Sequence, residues 1–108
     1  MQIKVFQVNP DRDPGRIKFM DSEFIEKSIG LNNLSLKYYD LAFSGSVSCS
    51  NLEGVYSYFN RGFIDSFTGH SVSVSDIVQI ISVDADEAPG YYLCDAIGWK
   101  RLSLKQED

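Results

Sequence analysis

No stretch of this 108-residue chain approaches the roughly 18 consecutive apolar residues of a membrane-spanning helix, which excludes a helical membrane protein as the expected class. The opening Met1-Gln-Ile-Lys-Val-Phe-Gln-Val8 alternates where a signal peptide would carry an apolar block, so a cytoplasmic setting is expected. There are two cysteines, Cys49 and Cys94, in no Cys-x-x-Cys spacing, and only one histidine. A thiolate–imidazole metal site would need carboxylates to complete it, and no metal or cofactor is expected. Without a secretory signal, two reduced thiols are the better expectation than a disulfide. Basic residues are also scarce, 10 against 15 acidic ones, giving a formal charge of −5. That balance argues against gripping a phosphate backbone, so nucleic acid is a poor partner. The glycines at 45, 62 and 69 are too scattered for a phosphate-cradling loop, and no Gly-x-Ser-x-Gly elbow is present.

The apolar fraction of 44% with 23% charged residues is ordinary for a folded domain, and this length suits a single core. Alternation predicts a first strand over residues 3–8, stopped at Asn9-Pro10. A cap at Asp21 or Ser22, early glutamates and apolar residues at helical spacing predict a short helix over 22–29, closed by Gly30. Residues 37–44 alternate as a second strand. Leu52, Val55 and Phe59 recur every three or four residues after a Ser50 or Asn51 cap, predicting a second helix that packs this stripe on the sheet before Gly62 ends it. Ile77–Val83 reads as a buried strand, and 91–95 and 99–104 as two more around an Ala96-Ile-Gly98 connection. The expected architecture is α+β: a mostly antiparallel sheet of about five strands with two helices packed on one face.

The segment Phe67-Thr-Gly-His-Ser-Val-Ser-Val-Ser-Asp-Ile-Val-Gln-Ile-Ile81 concentrates the special residue types. His70 between Gly69 and Ser71 can titrate near neutrality, though a hydrogen-bonding loop residue is the plainer reading. If the piece is extended, Ser71, Ser73 and Ser75 share one face. Ser75-Asp76 reads as a turn in which the Asp side chain accepts backbone N–H groups and sets Ile77 at the head of its strand. Adjacent Ser75, His70 and Asp76 do not suit a catalytic relay, because a triad's members come together from separated positions. Cys94 beside Asp95 should be a poorly nucleophilic thiol, since a neighbouring carboxylate raises its pKa. Trp99, next to Lys100 and Arg101, is core or an interface anchor.

Ile3-Lys-Val-Phe-Gln7, Leu52-Glu-Gly-Val-Tyr-Ser-Tyr-Phe-Asn60, Phe67-Thr-Gly-His-Ser71 with Val74-Ser-Asp-Ile-Val78, and Tyr92-Leu-Cys-Asp95 before Gly98-Trp99 follow one another in an order that resembles the YodL-like domain family. The resemblance spans nearly the whole chain. It implies a bacterial or mobile-element setting in which such domains are accessory modules, and it carries over no catalytic residues.

Three functions are therefore expected in descending order. The first is a non-enzymatic interaction module that contacts an unidentified protein partner through Gly69, His70, Ser71, Ser73, Ser75, Asp76 and Trp99. The second is an acidic inhibitor that imitates nucleic acid, which requires Asp65, Asp76, Asp84, Asp86, Glu87 and Asp95 on one face. The third is a small enzyme using His70 with Asp76 or Asp95, which requires them to converge in a pocket.

Overall fold

The computed structural model describes residues 1–61 and 71–104. Five strands, β1 (Gln2–Val8), β2 (Tyr39–Ser46), β3 (Ile77–Ile80), β4 (Gly90–Cys94) and β5 (Trp99–Leu102), join two helices, α1 (Ser22–Ser28) and α2 (Leu52–Arg61). The sheet runs β2-β1-β3-β4-β5 with every neighbouring pair antiparallel. This is an α+β fold with the expected strand number and helix number.

The local chemistry explains the boundaries. Asp21 caps α1 by accepting from the Phe24 N–H at 2.9 Å, and Gly30 leaves the helix at a φ of 84° that a side chain would resist. Asn51 caps α2 through the Gly54 N–H at 2.8 Å. The second strand starts at Tyr39, two residues later than expected, because Leu36–Tyr38 closes a 3-10 turn whose first N–H side is capped by Ser35. The third strand ends at Ile80, short of the expected Val83, because its partner β1 runs out: Ile81 N–H donates to Gln2 O, and Ser82 Oγ accepts from the Gln2 N–H. Val83 is correspondingly 87% exposed. The last strand stops at Leu102 for the same reason, its partner β4 beginning at Gly90.

The helices do not share a face, contrary to the expected arrangement. Side chains alternate along a strand, so Ile77 and Val78 point to opposite sides, as do Tyr92 and Leu93. Val78, Ile80, Tyr92, Ile3 and Val5 form one core with Leu52, Val55 and Phe59 of α2. Ile77, Leu93, Val8, Tyr39 and Leu102 form the other, with Ile25 of α1, Ile17 and Leu34. Each face has its own helix. The physical reason is visible in the central strands, where adjacent residues are both apolar and both buried, a pattern that demands cover on two sides. On the α2 face, Phe43 of β2 and Phe59 meet edge to face with ring centres 5.0 Å apart.

Candidate functional site

Entry into β3 is built by Ser75 and Asp76. Ser75 holds a φ of 82°, unfavourable for a residue with a side chain, and its surroundings fix it from three directions. Its N–H donates to Cys94 O at 3.0 Å, its hydroxyl accepts from the Phe19 N–H at 2.8 Å, and its carbonyl accepts from the Tyr39 hydroxyl at 2.8 Å. Asp76 Oδ2 accepts from the Ser73 N–H at 2.9 Å and from Gln7 Nε2 at 3.0 Å. The Asp side chain therefore closes the turn that sets Ile77 at the head of β3.

Burial separates this turn from a contact surface. Ser75 is 0% and Asp76 1% exposed, so neither reaches a partner directly. Nor do Ser71, Ser73 and Ser75 line one polar face: Ser71 is exposed, Ser73 half-buried and Ser75 enclosed, because the segment turns and does not run extended. Gly69, His70 and Asp65 lie outside the described residues. Asp76 Oδ1 is buried and has no hydrogen-bond partner among the described residues. Burial raises this carboxyl to about 7 against the pull of the Ser73 and Gln7 hydrogen bonds and the Lys18 charge.

Asp76 belongs to a row that crosses the whole sheet on the α2 face. Gln7 pairs with Asp40 of β2, Cys94 N–H donates to Asp76 O at 2.8 Å, and Cys94 pairs with Trp99 of β5. Asp40, Gln7, Asp76, Cys94 and Trp99 thus follow one another strand by strand. The row is polar where the sheet below it is aliphatic. At its outer end Asp40 pairs with Arg12 at 2.7 Å, and next to it Tyr39 is held protonated, its pKa raised by burial and then by the charge of Asp76. Cys94 is a free, buried thiol pushed up to about 12 by burial and by Asp76, Asp95 and Glu53. A thiol so perturbed is a poor nucleophile.

The row ends at an open cleft of about 260 Å³ between α2 and the β4–β5 hairpin, lined by Glu53, Tyr56, Val74, Cys94, Asp95, Ala96, Gly98 and Trp99. Gly98 turns the hairpin at a φ of 70°. Asp95 accepts from the Ser22 N–H at 3.0 Å, the Ser22 hydroxyl and the Ala96 N–H at 2.9 Å. Burial alone would raise its pKa, but these bonds and Lys100 outweigh that and leave the carboxylate below its ordinary range. Glu53, in the first turn of α2, is exposed, and no hydrogen bond or ion pair holds it among the described residues. Trp99 is half-buried, packs against the α2-side core and lines the cleft.

Of the residues expected from sequence, Trp99 and Asp95 come together here, with Asp76 one place behind Cys94. Gln7, Tyr39, Glu53 and Tyr56 were not singled out. Two signals point to three of them: Gln7 continues the inward series Ile3, Val5, and Glu53 and Tyr56 sit three apart on α2. Among the described residues, the other acidic side chains of the expected set do not line this cleft. Asp84 and Asp86 are exposed, Glu87 is half-buried, and the segment is drawn against the start of α2 by the Asp86 N–H donating to Ser50 O at 2.7 Å. With Asp76 enclosed, it contributes nothing to an acidic surface. No group of three His, Cys, Asp or Glu side chains among the described residues is placed to hold a metal ion, and none of the described helices is long and apolar enough to cross a membrane.

A five-stranded antiparallel sheet with one helix on each side and a polar row leading to an acidic aromatic cleft defines a small α+β domain. The family model of the YodL-like domain matches residues 2–104, and the chain belongs to that family. No curated protein and no solved structure matches it.

Proposed function

We propose that the chain is a non-enzymatic protein-interaction module working in the cytoplasm of a bacterium or on behalf of a mobile genetic element, with the cleft between α2 and the β4–β5 hairpin as its contact surface. The observation that carries this reading is the lining of the cleft. Two aromatic side chains, Tyr56 and Trp99, border it beside two carboxylates, while the one thiol present is protonated at any physiological pH. Aromatic side chains at a concave surface supply binding area at low entropic cost and are favoured in protein interfaces. The Ser75–Asp76 turn acts behind this surface, by fixing where Cys94 and Trp99 sit.

The test places the photo-crosslinking residue p-benzoylphenylalanine at Tyr56, 42% exposed, and separately at Ser44, exposed on the opposite sheet face. Irradiation in bacterial cells should give a discrete protein adduct from position 56 that Trp99→Ala removes. Adducts identical from both positions, or none from position 56, would count against the cleft.

A further inference from the structure

Resting on that reading of the cleft, we propose that its occupant is a single basic side chain, a lysine ammonium or arginine guanidinium presented by a protein partner. Three observations select this chemistry. First, the cavity, at about 260 Å³, lies below the roughly 300 Å³ where small-molecule sites begin, and matches one inserted side chain better than a whole metabolite.

Second, the charge is one-sided. Glu53 and Asp95 line the space and, among the described residues, no lysine, arginine or histidine does, although Lys100 acts on Asp95 from beyond the lining. Both carboxylates raise the Cys94 thiol, so both fields converge on the cleft floor. Asp95 is already oriented by Ser22 and Ala96 and stays ionised, whereas Glu53 has no partner among the described residues and is available to a newcomer. A fixed charge beside an adjustable one suits a cation that must arrive and leave. A neutral or anionic occupant would leave Glu53 without a counter-charge at the cleft.

Third, the walls are aromatic. A cation over the face of Trp or Tyr gains electrostatic attraction to the ring, and the apolar stem of lysine or arginine can lie against Val74 and Ala96. The same protein shows this preference internally, where the Arg101 guanidinium lies 5.8 Å from the Tyr92 ring centre on the neighbouring sheet surface. The cleft offers an external cation aromatic rings and carboxylates together.

Trp99 is the sole tryptophan in the chain, so it reports on the cleft without labelling. The probes are the capped tripeptides Ac-Gly-Lys-Gly-NH₂, Ac-Gly-Arg-Gly-NH₂ and the neutral Ac-Gly-Gln-Gly-NH₂, followed by Trp99 fluorescence and by the indole N–H resonance in two-dimensional NMR. The two basic peptides should bind saturably in the millimolar range, the neutral one should not, and raising salt from 0.05 to 0.5 M should weaken binding about fivefold. Glu53→Gln, a change on an exposed helix position, should weaken it about threefold to fivefold with the rest of the spectrum unchanged. Glu23→Gln on α1 should leave it as it was. Equal response to the glutamine peptide, or no response to either basic peptide, overturns the proposal. If the Tyr56 crosslink persists in that case, the contact surface survives and only the basic occupant is wrong.

Discussion

Gln7 Nε2 donates to Asp76 Oδ2 at 3.0 Å across the junction of β1 and β3, with both side chains shut off from water. One carboxyl oxygen is thereby doubly satisfied while the other, Oδ1, finds nothing among the described residues. An ionised carboxyl kept in such a place costs stability, and it makes the cost depend on pH.

That dependence has a definite sign. The folded-state pKa of about 7 lies above the ordinary value of 3.8, so the native state binds the proton more tightly than the unfolded chain does. Stability attributable to this group is fully present below pH 3.8 and is lost as pH rises towards 7. Asp76→Asn keeps the shape and cannot ionise. Its stability relative to wild type should therefore grow by up to about 4 kcal/mol between pH 4 and pH 8 in chemical denaturation. A difference that stays flat across that range would refute the assignment.

Tyr39→Phe removes the hydroxyl that donates to Ser75 O at 2.8 Å and leaves that carbonyl without its donor inside the protein. The expected loss is about 1–3 kcal/mol. Tyr38→Phe, at a half-buried neighbour, should stay within about 0.5 kcal/mol and controls for losing a phenol. Equal effects of the two would show that the bond to Ser75 does not hold the turn.

Iodoacetamide at pH 8 should label Cys49 before Cys94. Burial raises both thiols, but Cys49 is only half-buried and also lies near the N-terminal ammonium, while Cys94 is enclosed and pushed up to about 12. At that value only about one Cys94 in ten thousand is ionised at pH 8. Peptide mass spectrometry of native and urea-unfolded samples gives the order directly, and rapid native labelling of Cys94 would contradict its enclosure.

Because the sheet separates two cores, substitutions on opposite faces should act independently. Ile25→Val and Ile80→Val should each cost about 0.5–1.5 kcal/mol and add to within about 0.5 kcal/mol. Ile3→Val with Ile80→Val should depart from additivity by at least that much, since the two residues pair directly across β1 and β3. Thermal or urea melts of the double variants decide it; additivity in both pairs, or in neither, would argue against two separate cores.

Much of the fold was readable in local pattern. The stripe Leu52, Val55, Phe59 marked α2 and its buried side, and caps at Asp21 and Asn51 marked the helix starts. Distance along the chain is where local pattern stopped. Nothing near Ile81 says that its partner strand ends at Gln2, and nothing near Ile25 says that α1 lies across the sheet from α2. The site divides the same way. Asp76 as a turn-closing acceptor followed from Ser-Asp before an apolar run, but its burial depends on Gln7, 69 positions away, and the cleft joins α2 to a hairpin that the sequence places some forty residues later.

The strand order also sets a timetable. β3, β4 and β5 are consecutive neighbours and can zip together as they emerge, whereas β1 pairs on one side with β2 and on the other with β3. β1 is thus completed only once β3 has followed it, and the Gln7–Asp76 bond must wait for a partner 69 positions further along. Contacts of such long sequence separation slow folding and leave strand edges open meanwhile. The buried row that shapes the cleft is, in time, among the last parts of this sheet to close.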